Sequence, residues 1–148
     1  MQVLDKKTIR KIQKILQGQP NVIAAYLFGS TARGQTHPKS DLDIGVVLKD
    51  EESLSFGELV SLMTMIDEAV PDFKVDVRPI VKRSSPLFVF NVIKEGRPIY
   101  VKSEKERVQF EVAALKRFYD TQHLRDVYYS YLQKSIKEGT YGRGYRNR

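Results

Sequence analysis

The chain contains no cysteine. Disulfide bonds, thiolate nucleophiles and cysteine-held metals are therefore excluded. It has two histidines, His37 and His123, too few for a histidine zinc cage. Any metal is then expected to be a hard cation held by oxygen atoms. No apolar run is long enough to cross a bilayer. Leu4 is followed at once by Asp5, Lys6 and Lys7, which is not the pattern of a secretory leader. On these grounds the expected location is the cytoplasm.

What is present is a chain of 148 residues, 41% apolar and 29% charged. That is the size of one ordinary domain and the composition of a globular one. The formal net charge is +7, and residues 101–148 hold 11 Lys/Arg against 6 Asp/Glu, so +5 of that +7 lies in the last third. The balance suits a polyanionic substrate or partner. It equally suits a solvated helix face with a basic tail.

Periodicity orders the elements. Asp5 can cap a helix with Ile9, Ile12 and Leu16 on one face, stopped by Gly18 and Pro20. Residues 22–28 are a short apolar run and read as a buried strand. Gly29 to Gly34 turn the chain and begin a short helix, and His37 to Ser40 are loop. Leu42 to Leu48 form a second strand. Ser55 and Glu58 make a capping box for a helix that Pro71 ends. Phe73 to Ile80 form a third strand, with Lys74, Asp76 and Arg78 on one face. Pro86 opens another helix and Gly96 closes it; Pro98 to Val101 suit an edge strand. A helical tract then runs from Ser103 to Gly139, with a break at Asp120-Thr121. Its apolar stripes are Val108, Val112, Leu115 and Tyr119, then Leu124, Val127, Tyr128 and Tyr131. The expected organisation is a small mixed α+β sheet with flanking helices over 1–102. A helical extension and basic tail over 103–148 would pack on the same domain.

The chemistry concentrates in four places. Asp41 and Asp43 stand two residues apart on a strand, so they share a face about 6.6 Å apart along it. Carboxylates so spaced can flank a pair of divalent ions, which in two-metal sites lie about 3.5–4 Å apart. Asp76 interrupts an apolar strand and reaches the same ions if the second and third strands are neighbours. It would hold the ion that activates an acceptor hydroxyl. Gly29 and Ser30 offer close backbone approach, free N–H groups and a hydroxyl to a triphosphate. Arg33, one turn on, and Arg78, beside Asp76, can neutralise leaving pyrophosphate. Taken singly, a Gly-Ser is a turn, an Asp-x-Asp is a loop or cap, and Asp76 is a salt-bridged strand residue. The order and spacing carry the signal.

Residues 28–34, Phe-Gly-Ser-Thr-Ala-Arg-Gly, followed by residues 40–44, Ser-Asp-Leu-Asp-Ile, resemble the signature of DNA polymerase β-like nucleotidyltransferases. Within that superfamily the chain is most similar to the minimal nucleotidyltransferase (MNT) antitoxins. The resemblance implies a polymerase β-type palm, two Mg²⁺ ions and ATP. It implies metal-binding and catalytic roles for Asp41, Asp43 and Asp76, and triphosphate binding at Gly29 and Ser30. It also implies a partner, a HEPN-family ribonuclease toxin, whose tyrosine would receive AMP. A small-molecule acceptor, an RNA 3′ end and simple occlusion of a partner are the competing readings.

Two further features have plain explanations. Tyr128 to Tyr131 lie among basic residues and could stack on nucleic acid or dock a partner, but packing against their own domain is the expected role. Arg117 and His123 imitate the Arg…His spacing of HEPN ribonucleases, yet one helical tract cannot build that family's bundle.

Overall fold

The computed structural model describes residues 4–32 and 41–140. Its elements run α1 (Lys6–Gln17), β1 (Val22–Phe28), α2 (Gly29–Ala32), β2 (Asp41–Leu48), α3 (Phe56–Ala69), β3 (Lys74–Ile80), α4 (Pro86–Glu95), β4 (Arg97–Val101), α5 (Glu104–Asp120) and α6 (Gln122–Lys137). The four strands form one mixed sheet in the order β3-β2-β1-β4. β1 pairs antiparallel with both β2 and β4, while β2 and β3 run parallel and are joined by α3. This is the polymerase β-type α+β architecture with a helical C-terminal region expected from the sequence.

Local signals explain most boundaries. Asp5 accepts a hydrogen bond from the Thr8 N–H at 2.7 Å and caps α1. Ser55 and Glu58 form the full capping box of α3. Pro86 sits at the start of α4, where its missing N–H leaves nothing unsatisfied. Gly96 ends α4 in extended rather than left-handed backbone; a Cβ there would run into the Val92 carbonyl. Thr121 divides α5 from α6 where the sequence places a break.

Two apolar layers cover the sheet. Ile12, Leu16, Leu62 and Ile66 from α1 and α3 pack with Leu27, Leu42, Ile44 and Val46 on one face. Val89, Val92 and Ala114 from α4 and α5 pack with Ala24, Tyr26, Val47 and Ile80 on the other. α5 is tied to this second face by a buried phenol. The Tyr26 hydroxyl donates to Glu111 Oε1 at 2.6 Å, and Arg107 donates to the same oxygen at 2.9 Å. Burial, and then Glu111, push the Tyr26 pKa well above its ordinary value, so it stays a donor. Removing one such bond typically costs about 1 kcal/mol. Tyr26→Phe is therefore expected to lower unfolding free energy by about that much in a urea titration, with an unchanged slope.

α6 attaches differently. Among the described residues, α5 is the only element with which it shares more than isolated contacts. The join is Arg125, whose guanidinium lies 3.9 Å from the Phe118 ring centroid and donates to the Phe118 carbonyl at 2.5 Å and to Thr121 Oγ1 at 2.6 Å. The Tyr128–Tyr131 cluster, expected to pack inward, is exposed instead. α5 likewise is apolar on two sides. Phe110, Ala114 and Phe118 occupy the inward side, which leaves Val108, Val112 and Tyr119 facing out.

Candidate active site

Strand register brings the acids together. Phe28, the last residue of β1, lies opposite Asp43, and Asp43 lies opposite Asp76 across the parallel β2–β3 pair. Paired residues on neighbouring strands point to the same face, with backbones about 4.8 Å apart. Asp41, two residues before Asp43, shares that face. All three carboxylates therefore stand at one end of the α4/α5 side of the sheet. Asp41 is exposed; Asp43 and Asp76 are half-buried.

The groups affect one another. Burial raises the Asp43 pKa above the ordinary carboxylate range, the charge of Asp76 adds to this, and Asp41 adds further; Arg78 works against it. Ionising Asp43 is thus opposed by burial and by two neighbouring acids, and Arg78 offsets this only in part.

Gly29 begins α2 at φ +75°, a left-handed conformation that L side chains avoid. A Cβ on Gly29 would also fall onto Asp43 Oδ2. The motif glycine thus does more than bare its backbone: its Cα hydrogens leave room for the Asp43 carboxylate. Ser30 follows in the first turn of α2 and is described through its backbone alone. Thr31, one residue further, is buried and donates from Oγ1 to the Asp41 carbonyl at 3.0 Å, fastening α2 to the head of β2. Arg33 and His37 lie outside the described residues.

Arg78, offered by the sequence as a phosphate ligand, is engaged elsewhere. Its Nε lies 3.2 Å from Asp76 Oδ2, and its guanidinium lies 5.9 Å from the Phe88 ring centroid. Phe88 meets Phe28 edge to face at 5.6 Å. Phe28, Arg78 and Phe88 make an aromatic and cationic wall beside the acids. Phe88 sits on α4, far along the chain from both motifs, and nothing in local spacing announces it. Arg117 donates to the Lys82 and Ser84 carbonyls, a structural task, and His123 is exposed on α6.

Among the described residues, no three acids stand converged as a ligand set for one metal ion. Asp76 is turned to Arg78. The donors nevertheless suit magnesium. They are hard carboxylate oxygens, and the like-charge crowding at Asp43 is what a bound cation relieves. A cavity of about 580 Å³ opens at the opposite end of the same face, lined by Val47, Ile80, Val89 and Phe110 and by none of the three acids.

Residues 10–105 match the polymerase beta nucleotidyltransferase family, and the match includes every site residue described above. The chain belongs to that family of nucleotidyltransferases. A protein of Methanocaldococcus jannaschii, provisionally named a protein adenylyltransferase, is 36% identical over 86 residues, covering 53% of this chain and 85% of that protein. A chain from a crystal structure of a toxin–antitoxin pair with AMP-PNP superposes with a TM-score of 0.73 at 25% identity, covering 84% of this chain and 98% of that one. A chain from the MntA–HepT toxin–antitoxin structure superposes with a TM-score of 0.70 at 22% identity, covering 87% of this chain and 99% of that one, a likeness of fold.

Proposed function

We propose that this nucleotidyltransferase is the antitoxin of a toxin–antitoxin pair. In this reading it transfers AMP from ATP to a tyrosine hydroxyl of a partner HEPN-family ribonuclease. The observation that carries the reading is the register of Asp43 with Asp76, with Gly29 packed against the Asp43 carboxylate. It gathers acids and phosphate turn, distant in the chain, at one end of one face. Support for the protein acceptor and the toxin comes from the adenylyltransferase name of the M. jannaschii relative and from the toxin–antitoxin pair solved with AMP-PNP.

In the reaction the tyrosine oxygen attacks the α-phosphorus of ATP. The α–β bridging P–O bond breaks and pyrophosphate leaves. Asp41 and Asp43 would hold two Mg²⁺ ions, with Asp76 sharing the one nearer the acceptor; bound magnesium would neutralise the triphosphate and acidify the tyrosine hydroxyl. Asp76, once released from Arg78, would hold the magnesium that acidifies the hydroxyl and would take up its proton. The backbone at Gly29 and Ser30 approaches the triphosphate closely, because no side chain stands on Gly29. Arg78 would exchange Asp76 for the leaving pyrophosphate, and Arg33 is proposed for the same task. Chemistry of this kind needs alignment and charge neutralisation more than covalent help.

The test is intact-protein mass spectrometry of the partner toxin after incubation with this protein, ATP and Mg²⁺. The expected result is a toxin heavier by one or more AMP units, and no adduct when Asp41→Asn and Asp43→Asn are combined. An unmodified toxin would end the proposal. If the double variant still protects cells as well as the wild type, neutralisation occurs by occlusion.

A further inference from the structure

We infer that the outward apolar stripe of α6 is the surface that captures the partner toxin. The inference rests on the toxin–antitoxin reading and adds where on the chain the partner binds. Leu124, Val127, Tyr128 and Tyr131 recur at helical spacing along α6 and are 68%, 54%, 59% and 69% exposed. An amphipathic helix ordinarily turns such a stripe inward. Here it faces solvent, and Val108, Val112 and Tyr119 of α5 do the same. The two stripes together leave seven large apolar side chains exposed on two consecutive helices, where a monomer ordinarily exposes such side chains singly.

Among the described residues, α6 packs beyond isolated contacts only on α5. Helices of about 12–15 residues are marginal in water unless an apolar face is covered. α6 has 16 residues, and its hold on the domain is concentrated at Arg125 near its start. Between that end and the first turn of α4 lies a notch of about 290 Å³, bordered by Pro86, Leu87, Leu124 and Tyr128. A notch of this kind accepts an anchoring side chain from a partner. The family match stops at residue 105, so nearly all of α5 and the whole of α6 lie beyond the nucleotidyltransferase domain shared across the family.

The occupant can be argued from pattern and charge. A stripe at i, i+3, i+4 and i+7 fits ridges into the grooves of another helix. Its aliphatic members, Leu124 and Val127, give a nucleobase no ring to stack on, which favours protein over RNA. The chain carries a formal net charge of +7. A second copy would bring that excess against itself, whereas a helical partner with an acidic rim would complement it. The toxin is therefore expected to offer an apolar, acid-rimmed helical groove.

The experiment is calorimetric titration of the purified toxin into the wild type and into the Val127→Glu/Tyr131→Glu variant. Gln133→Glu serves as an exposed control on the same helix. The expected result is at least a hundredfold rise in Kd for the double variant and none for the control. Circular dichroism and Mn²⁺ affinity of the free protein should stay unchanged. Equal toxin affinity in the double variant and the wild type overturns the inference and leaves the adenylyltransferase reading intact. So does a wild type that is dimeric without toxin and becomes monomeric in the variant, or a variant that loses single-stranded RNA instead of toxin. A wild type that does not bind toxin at all overturns both readings.

Discussion

Exchanging Asp43 for asparagine is expected to lower AMP transfer by on the order of a thousandfold and, at the same time, to stabilise the metal-free protein. The first effect follows from charge. Removing one preorganised electrostatic partner of a transition state typically costs about 10²–10³ in rate, and Asp43 stands opposite Asp76 with Asp41 beside it. The second effect follows from the same crowding. Burial, Asp76 and Asp41 raise the Asp43 pKa in the folded protein. A raised pKa means that the folded state holds this proton more tightly than the unfolded chain does. The resulting stability is complete below the ordinary carboxylate range and is lost as pH rises through the elevated value. At pH 7 the ionised Asp43 therefore opposes folding, and asparagine does not. Thermal melts should place the variant above the wild type at pH 7, with the gap closing as pH falls toward the ordinary carboxylate range. Added Mg²⁺ should raise the melting temperature of the wild type and do much less for the variant. A variant that melts below the wild type at pH 7 would mean that Asp43 is satisfied by the fold itself and not held in reserve for a cation.

Parts of this site were legible in the sequence and parts were not, for physical reasons. A short apolar run marks 22–28, β-branching marks 42–48 and alternation marks 73–80 as strands, and one helix between the last two makes a parallel pairing natural. Given that pairing, Asp43 beside Asp76 needed only the register. The motif marks Gly29 as a phosphate contact; its closeness to Asp43 depends on two strands whose separation in space no spacing encodes. Arg78 suggests a phosphate ligand because it is basic and stands beside Asp76. The structure shows that a strand's two-residue repeat also sets it against Asp76. Phe88 joins the wall only because α4 folds back over the sheet. On α5 and α6 periodicity identified the stripes correctly but could not say which way they face. Where a helix is apolar on two sides, the inward side is chosen by what it meets. Phe118 stacks on Phe90 at 3.8 Å and Tyr119 meets the same ring only by its edge, while Val112 and Tyr119 stay exposed.

The alanine variant of Gly29 should separate the placement of Asp43 from its charge. At φ +75° a Cβ costs about 1–2 kcal/mol through backbone strain alone. The added methyl would also occupy the position of Asp43 Oδ2. Asp43 cannot withdraw by sliding along β2, because Phe28 and Asp76 fix its register from both sides. Its carboxylate must rotate away from the acid cluster instead. Displacing a catalytic group by about 1 Å costs about a hundredfold in rate, so kcat should fall at least that far while every charge of the site remains. Gly45→Ala, on the same strand and face as Asp43, is the comparison. A Cβ there would meet the terminal Cδ1 of Ile80 at 2.8 Å, an atom that can move aside, and no left-handed backbone is involved. That variant should lose some stability and keep its kcat within severalfold. Urea titration and single-turnover transfer, measured on both variants, read the two effects apart. If Gly29→Ala transfers AMP as fast as Gly45→Ala, the glycine serves the chain's turn alone, and Asp43 reaches its working position without it.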